Sequence, residues 1–235
     1  MTERGRRWLQ RSRDTFRVGP SSMSITGDAL TIEIDEVSMP IPARIRGRVR
    51  LTPSATTETP FQLDAAGRHL WHPIAPIAHV EADFDKPGMR FSGHGYLDTN
   101  WGSEPLEASF RSWNWSRGRI DDKAVIFYDS IRRDGSIAGL ALSIGSDGQV
   151  ASTEAPPMSD LPGTLWRVPR AARSDLGPPA RLVRTLEDTP FYTRSVIDAS
   201  IGGQRVTSVH ESLSLDRFSS SIVQWMLPFR MPRRG

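Results

Sequence analysis

The residues of this chain best suited to chemistry lie in two stretches, His69-Leu70-Trp71-His72 and Phe91-Ser92-Gly93-His94-Gly95-Tyr96-Leu97-Asp98-Thr99-Asn100-Trp101-Gly102. If residues 89–98 form one regular strand, its period of two sets Arg90, Ser92, His94, Tyr96 and Asp98 on one face, and Gly93 and Gly95 leave room on the other. A face that joins an imidazole, a phenol and a carboxyl beside bare glycines suits the wall of a ligand site. The plainer alternative is a turn pair, with Asp98 capping the Asn100-Trp101-Gly102 turn. His69, His72, His79 and His94 invite a metal reading, but their spacings match no helical H-x-x-x-H pair and no acidic ligand has an obvious place, so no metal is expected. The chain has no cysteine, which removes thiolate catalysis, Cys-held metals and disulfides. It also lacks a G-x-S-x-G elbow, and Gly202-Gly203 is not followed by the Lys-Ser/Thr of a phosphate loop. Neither hydrolase nor nucleotide chemistry is supported, and no cofactor is expected.

Such residues need elements to hold them. Residues 3–16 read as a short Arg-rich helix with Trp8, Leu9 and Phe16 as its only large apolar groups. From Met23 the period becomes two: Leu30, Ile32 and Ile34 alternate with Thr31, Glu33 and Asp35. Next, Ala43, Ile45, Gly47, Val49 and Leu51 alternate with Arg44, Arg46, Arg48 and Arg50, a strand that must be open to water on its guanidinium face. Residues 52–67, rich in Thr, Pro and Ala, read as a loop. Ala78, Val80, Ala82 and Phe84 then alternate with polar partners, and Asp85-Lys86-Pro87-Gly88 turns this strand into the Met89 segment as a hairpin. Residues 123–131 and 137–144 form a second hairpin around Asp134-Gly135. Residues 165–168, 181–186, 191–199 and 205–215 are further strands, separated by loops at 151–161 and 173–179. Residues 219–227 read as a helix after an Asp216 cap. Many short strands with no βαβ alternation predict an all-β fold, an antiparallel barrel or sandwich with short terminal helices.

Composition sets outer bounds. With 235 residues, 37% of them hydrophobic, the chain can build one large or two small cores. No run approaches the roughly 20 apolar residues of a membrane-spanning helix, and residues 1–13 contain no apolar h-region of the kind a secretory signal carries. The net charge is only +3, from 30 Lys and Arg against 27 Asp and Glu. Basic residues gather at both ends, in Arg4 to Arg13 and in Arg230, Arg233 and Arg234, where they could meet anionic lipid or simply be solvated. A nucleic-acid reading of the Arg44-Arg50 row fails for want of exposed aromatics on the same face, so no nucleic-acid partner is expected.

The segment from Gly93 to Gly102, followed by Glu104-Pro105-Leu106 and Phe110-Arg111-Ser112-Trp113-Asn114-Trp115-Ser116-Arg117, resembles the carotenoid 1,2-hydratase family. Trp71-His72-Pro73-Ile74-Ala75-Pro76 and Val125-Ile126-Phe127-Tyr128-Asp129 look like the family's neighbouring blocks in the same order. The resemblance implies a lipocalin-like, cofactor-independent hydro-lyase that acts on acyclic carotenoids such as lycopene or neurosporene, within carotenoid biosynthesis and photosynthesis. It implies a cytoplasmic protein in peripheral contact with the inner or photosynthetic membrane. The family's Tyr-x-Asp motif falls on Tyr96 and Asp98 and its His-x-Trp pair on His69 and Trp71, the implied catalytic set. Trp101, Trp113 and Trp115 either pack the core, the plainer reading, or line the polyene channel, and with His94 they are the candidate substrate contacts. Family members carry a further β-rich portion before the region matched here. Residues 1–235 are therefore expected to form one lipocalin-like region, the C-terminal part of a longer protein, with weak or no activity alone.

The chemistry constrains the roles. Hydrating an unactivated alkene needs a proton donor able to make a tertiary carbocation, a surrounding that tolerates the cation, and one water. A carboxylic acid in an apolar pocket keeps its proton at neutral pH because desolvation disfavours the charged form, and Asp98 is the candidate. The Trp71 indole can steady the cation by about 0.5–2 kcal/mol, while Tyr96 and His69 orient the acid or the water. The competing reading is a non-catalytic lipocalin-like carrier of isoprenoid or lipid, which needs the same cavity but no protonated Asp98.

Overall fold

The structure, a computed structural model, describes residues 4–38 and 41–230, with side chains up to Leu227. Arg230, Arg233 and Arg234, the expected C-terminal basic group, lie outside the described side chains. In chain order the strands are β1 (Leu9–Arg11), β2 (Thr15–Val18), β3 (Ser21–Thr26), β4 (Ala29–Val37), β5 (Arg44–Pro53), β6 (Phe61–Gln62), β7 (His69–Lys86), β8 (Gly88–Gly102), β9 (Phe110–Ile120), β10 (Lys123–Arg132), β11 (Ile137–Gly145), β12 (Val150–Ser152), β13 (Met158–Asp160), β14 (Ala171–Arg173), β15 (Arg181–Asp188), β16 (Tyr192–Ile201) and β17 (Gln204–Ser214). The helices are α1 (Leu106–Ser109), α2 (Leu215–Phe218) and α3 (Ser221–Arg230). The all-β, antiparallel class expected from the alternation is the one observed. The chain divides into two compact units, residues 1–56, 75–97 and 224–235 in one and residues 57–74 and 98–223 in the other, so β7 and β8 each supply residues to both.

In the first unit the strands pair antiparallel in the order β1-β2-β3-β4-β5-β7, with β8 on β7. Register follows the hydrophobic pattern, since a slip of one residue would turn every apolar side chain to the wrong face. Leu30 sits opposite Leu51, Ile32 opposite Val49 and Ile34 opposite Gly47, and Leu30, Leu51, Ala75 and Ala78 form the buried core with Met23, Ile32, Val80 and Leu97 packed against it. The other face of β5 is the expected guanidinium row. It is laced to acids on its neighbours: Arg44 to Asp35 at 2.7 Å, Arg46 to Asp85 at 3.7 Å, Arg48 to Glu33, and on β8 Arg90 to Asp83 at 2.8 Å.

The second unit orders its main sheet β12-β11-β10-β9-β17-β16-β15. The hairpin at Asp134-Gly135 holds the expected register, with Lys123 opposite Gly145 and Ile131 opposite Ile137. Its core gathers Val125, Phe127, Leu161, Ala172, Ile197, Ala199 and Val206. β13 and β14 form a separate two-stranded ribbon.

Four local expectations are corrected. Residues 6–8 form a single 3-10 turn in place of the Arg-rich helix, and β1 and β2 follow as a hairpin. The Ser12 hydroxyl accepts from the Thr15 backbone N–H in that turn, and three apolar residues are too few to bury a helical face. Residues 165–168 are not a strand: Leu165 is 89% exposed and Arg167 has a positive φ of 52°. β7 begins at His69, nine residues before the alternation at Ala78 suggests. Pro73 and Pro76, which argue against a central strand, fall outside the β6 ladder, which pairs Gln62 with Leu70 and Phe61 with Trp71. Lastly, Asp216 caps no helix; Ser214 accepts from the Arg217 backbone at the start of α2, and Asp216 binds Arg111 and Arg133.

Candidate active site

β7 enters the second unit with alternating burial, so His69 and Trp71 share one inward face. Trp71 is fully buried. Its ring lies 5.7 Å from that of Phe61, its register partner on β6, and 5.5 Å from that of Tyr128 on β10. Trp113 on β9 continues this aromatic wall, 6.1 Å from Tyr128. The indole Nε1 donates to Oδ2 of Asp98 at 2.8 Å. Asp98, half-buried on β8, thereby meets the polar end of an otherwise apolar surface. An indole N–H can only donate, so Oδ2 must be an accepting oxygen whether the carboxyl is charged or neutral.

Tyr128 extends the site. Burial pushes its phenol above the ordinary range, and the charges of Asp98 and Glu211 push it further the same way. The hydroxyl stays protonated and available as a donor. Nothing in the sequence singles this residue out until the β9–β10 register is known, which sets Tyr128 opposite Trp115 and Asp129 opposite Asn114.

His69 takes a partner that the sequence reading missed. Its Nδ1 lies 3.1 Å from Oδ2 of Asp64, and the same carboxyl accepts from the backbone N–H groups of Ala66, Arg68 and His69 at 2.9, 3.3 and 2.8 Å. Burial works to raise the Asp64 carboxyl, but these backbone and imidazole donors outweigh it and hold the group below the usual carboxylate range. The Asp64-Ala65-Ala66-Gly67 turn signature marks Asp64 as a turn former and gives no hint of its imidazole partner. The His69 ring stands edge-on to Phe110 at 5.0 Å.

The remaining expected residues divide. Trp101 is partly exposed and joins His69, Leu63, Asn100, Gly102 and Leu106 around a cavity of about 280 Å³. Trp115 is buried in the sheet of the second unit, consistent with packing. Tyr96 is half-buried and His94 exposed, both on the part of β8 that belongs to the first unit. The space beside Gly95 is filled by Val80, whose Cγ2 would lie 2.3 Å from an added Cβ, whereas Gly93 faces open space. His72 turns away from His69, its Nε2 lying 3.0 Å from the carbonyl oxygen and 3.1 Å from the hydroxyl of Thr57. Among the described residues no three His, Asp or Glu side chains come together as metal ligands.

Comparison with known proteins bears on this arrangement. The family model described as carotenoid hydratase CrtC matches residues 1–235. The chain is 50% identical over its whole length to an acyclic carotenoid 1,2-hydratase of Thiocapsa roseopersicina and spans 58% of that protein. It is 42% identical to one of Cereibacter sphaeroides and spans 84% of it. A crystal structure of a Nitrosomonas europaea protein described as an AttH superimposes with a TM-score of 0.58 at 13% identity, covering 88% of this chain and 72% of that one, which shows a shared lipocalin-like fold. Because the family model matches every residue and the identity to its curated relatives runs the full length, the chain belongs to the carotenoid hydratase CrtC family.

Proposed function

We propose that this chain adds water to the terminal C1–C2 double bond of an acyclic carotenoid such as lycopene or neurosporene. The observation that carries the proposal is the hydrogen bond from Trp71 to Asp98, set in an aromatic wall in a chain so similar to carotenoid 1,2-hydratases. With the indole holding the carboxyl in place, the neutral acid presents its proton to the alkene. The alkene π pair takes that proton at C2, and the positive charge falls on C1, where three carbon substituents stabilise it. The face of Trp71 supports the cation. A water oxygen then bonds to C1, its extra proton leaves, and a proton returns to Asp98. The sum is alkene plus water to tertiary alcohol, with no change of oxidation state in the protein. Tyr96 and Tyr128 are the phenols that can hold the acid or the water in line. Product analysis in cells that make lycopene tests the reading. A 1-hydroxy product carrying the isotope of labelled water supports it, and unchanged lycopene with an expressed, folded chain, both alone and joined to the N-terminal portion of the Thiocapsa roseopersicina relative, overturns it.

A polyene of this length is nearly insoluble in water, so we further infer that the chain collects it at a lipid surface. The β1–β2 hairpin supports this: Trp8, Leu9 and Phe16 are exposed there among Arg6, Arg7, Arg11 and Arg13, a pairing of apolar and cationic groups suited to an anionic bilayer surface.

A further inference from the structure

The Asp64–His69 pair has a direction built into it. A carboxylate loaded with three backbone N–H donors remains ionised and can only accept, so His69 Nδ1 must be the donor between them. In the neutral imidazole Nε2 is then bare. That nitrogen is buried and has no hydrogen-bond partner among the described residues. The ring cannot swing to find one, because Phe110 stands edge-on to it and Gly102 lies against its other side. A Cβ on Gly102 would sit 2.9 Å from His69 Cδ2, the atom bonded to Nε2, and 2.6 Å from the Arg68 carbonyl oxygen. Both His69 and Gly102 line the cavity of about 280 Å³, several times the roughly 30 Å³ share of one liquid water.

His69 and Trp71 are two residues apart on one face of β7, which separates them by about 6.5–7 Å, and Trp71 holds Asp98. A proton donor, two adjacent alkene carbons and a water in line fit such a spacing. We propose that Asp64 is a positioning residue for the water-adding half of the hydration, holding His69 as the Nδ1–H tautomer so that Nε2 accepts from the water that attacks C1. The inference rests on the hydratase reading and deepens it. The oxygen of that water bonds to the C1 cation, its O–H electron pair stays on oxygen, and the released proton passes to Nε2. The resulting imidazolium is held by the Asp64 carboxylate until the proton returns to the Asp98 carboxylate, closing the cycle.

The tautomer is measurable in the unaltered chain by nitrogen NMR of labelled histidine, with His69 assigned through a His69→Gln variant. The expected signature is a protonated Nδ1 and a bare Nε2. A protonated Nε2 with bare Nδ1 overturns the proposal. Asp64→Asn keeps the size and offers its amide N–H to Nδ1, so the expected outcome is a reversed tautomer, retained carotenoid binding, and a kcat lower by about 10²-fold or more. In a His69→Gln background the same change should cost less than about threefold, because there is no imidazole left to orient. A merely structural Asp64 would lower both backgrounds alike, and that result also overturns the proposal. An active parent with an undiminished Asp64→Asn variant rejects the positioning role alone, whereas a parent that makes no hydroxylated product rejects the hydratase reading and the water-holding role with it.

Discussion

At the scale of single residues, two carboxyls on two rings form the candidate site, and their environments differ. Asp64 is surrounded by donors and stays charged, while Asp98 takes the Trp71 indole N–H at the end of an apolar wall. That apolar, aromatic setting is the reason to propose Asp98 as the proton donor. Asp98→Asn preserves the acceptor for Trp71 and removes the acidic proton, so hydration should fall by about 10²–10⁴-fold while carotenoid still binds and the circular dichroism is unchanged. Trp71→Phe should lose less, since a weaker π face remains. A folded Asp98→Asn variant that hydrates lycopene within a few-fold of the parent would return Asp98 to the turn role that its place before Asn100-Trp101-Gly102 also allows.

At the scale of elements, β7 is the part on which the site depends, and its register is fixed from β5 by close backbone contact. Gly47 sits where a Cβ would come within 2.6 Å of the Asp83 carbonyl oxygen and 2.7 Å of the Phe84 Cα, atoms that cannot move aside without shifting the strand. The ladder also changes register beside it, between Arg46 and Gly47. Gly47→Ala should therefore destabilise the chain by about 1–3 kcal/mol, measured as a lower denaturant midpoint at constant slope. Gly93→Ala is the matched control: nothing lies within 4 Å of the added methyl, and removing a strand glycine should leave stability unchanged or slightly raised. Equal losses at the two positions would show that generic strand propensity decides stability here, and that close packing at Gly47 does not.

At the scale of the whole molecule, charge is arranged to cancel on one face and to accumulate elsewhere. Arg44, Arg46, Arg48, Arg50 and Arg90 stand among Glu33, Asp35, Glu81, Asp83 and Asp85, five cations against five anions, and such exposed pairs are each worth about 0–1 kcal/mol. Among the described residues the exposed arginines of the β1–β2 hairpin have a sparser screen, with Asp14 4.0 Å from Arg13. Vesicles with anionic lipid should sediment the chain at low salt, and Trp8→Ala combined with Arg6, Arg7, Arg11 and Arg13→Gln should abolish this. Binding that survives those changes would place the lipid contact on another surface. Acid sensitivity comes from the second unit. Burial, aided by the charge of Arg170, lowers His210 to about 4 against its backbone bond to Ala171, where Nε2 lies 2.9 Å from the carbonyl oxygen. The unfolded chain takes up this proton near pH 6.5 and the folded chain near 4. Stability is thus complete above about 6.5 and falls by about 1.4 kcal/mol per unit as the pH drops to about 4, roughly 3 kcal/mol in all. Denaturant titrations across that window should show this slope, and His210→Gln should flatten it. An unaltered slope in the variant would assign the acid sensitivity to other groups.

By itself the sequence determined the class of fold, and the family resemblance pointed to Trp71 and Asp98, which the structure joins by a hydrogen bond. Alternation of period two is a local property that survives without tertiary knowledge, so the Leu30, Val49 and Ile126 strands and the Asp134-Gly135 hairpin were all readable, as was the motif placing Trp71 and Asp98 in one site. Other features depend on partners far along the chain or on packing around a loop. The start of β7 at His69 hid behind Pro73 and Pro76, because whether a strand can hold a proline depends on where its neighbours pair, and β6 pairs β7 at Leu70 and Trp71, short of both prolines. Asp64 looked like a turn residue because its hydrogen bonds to the backbone are those of a turn, and only the folded loop brings the same carboxyl to His69 Nδ1. Tyr128 lay unnoticed for the same reason: which residue of a hairpin faces Trp71 is set by sheet register, and register is decided by the whole buried face at once.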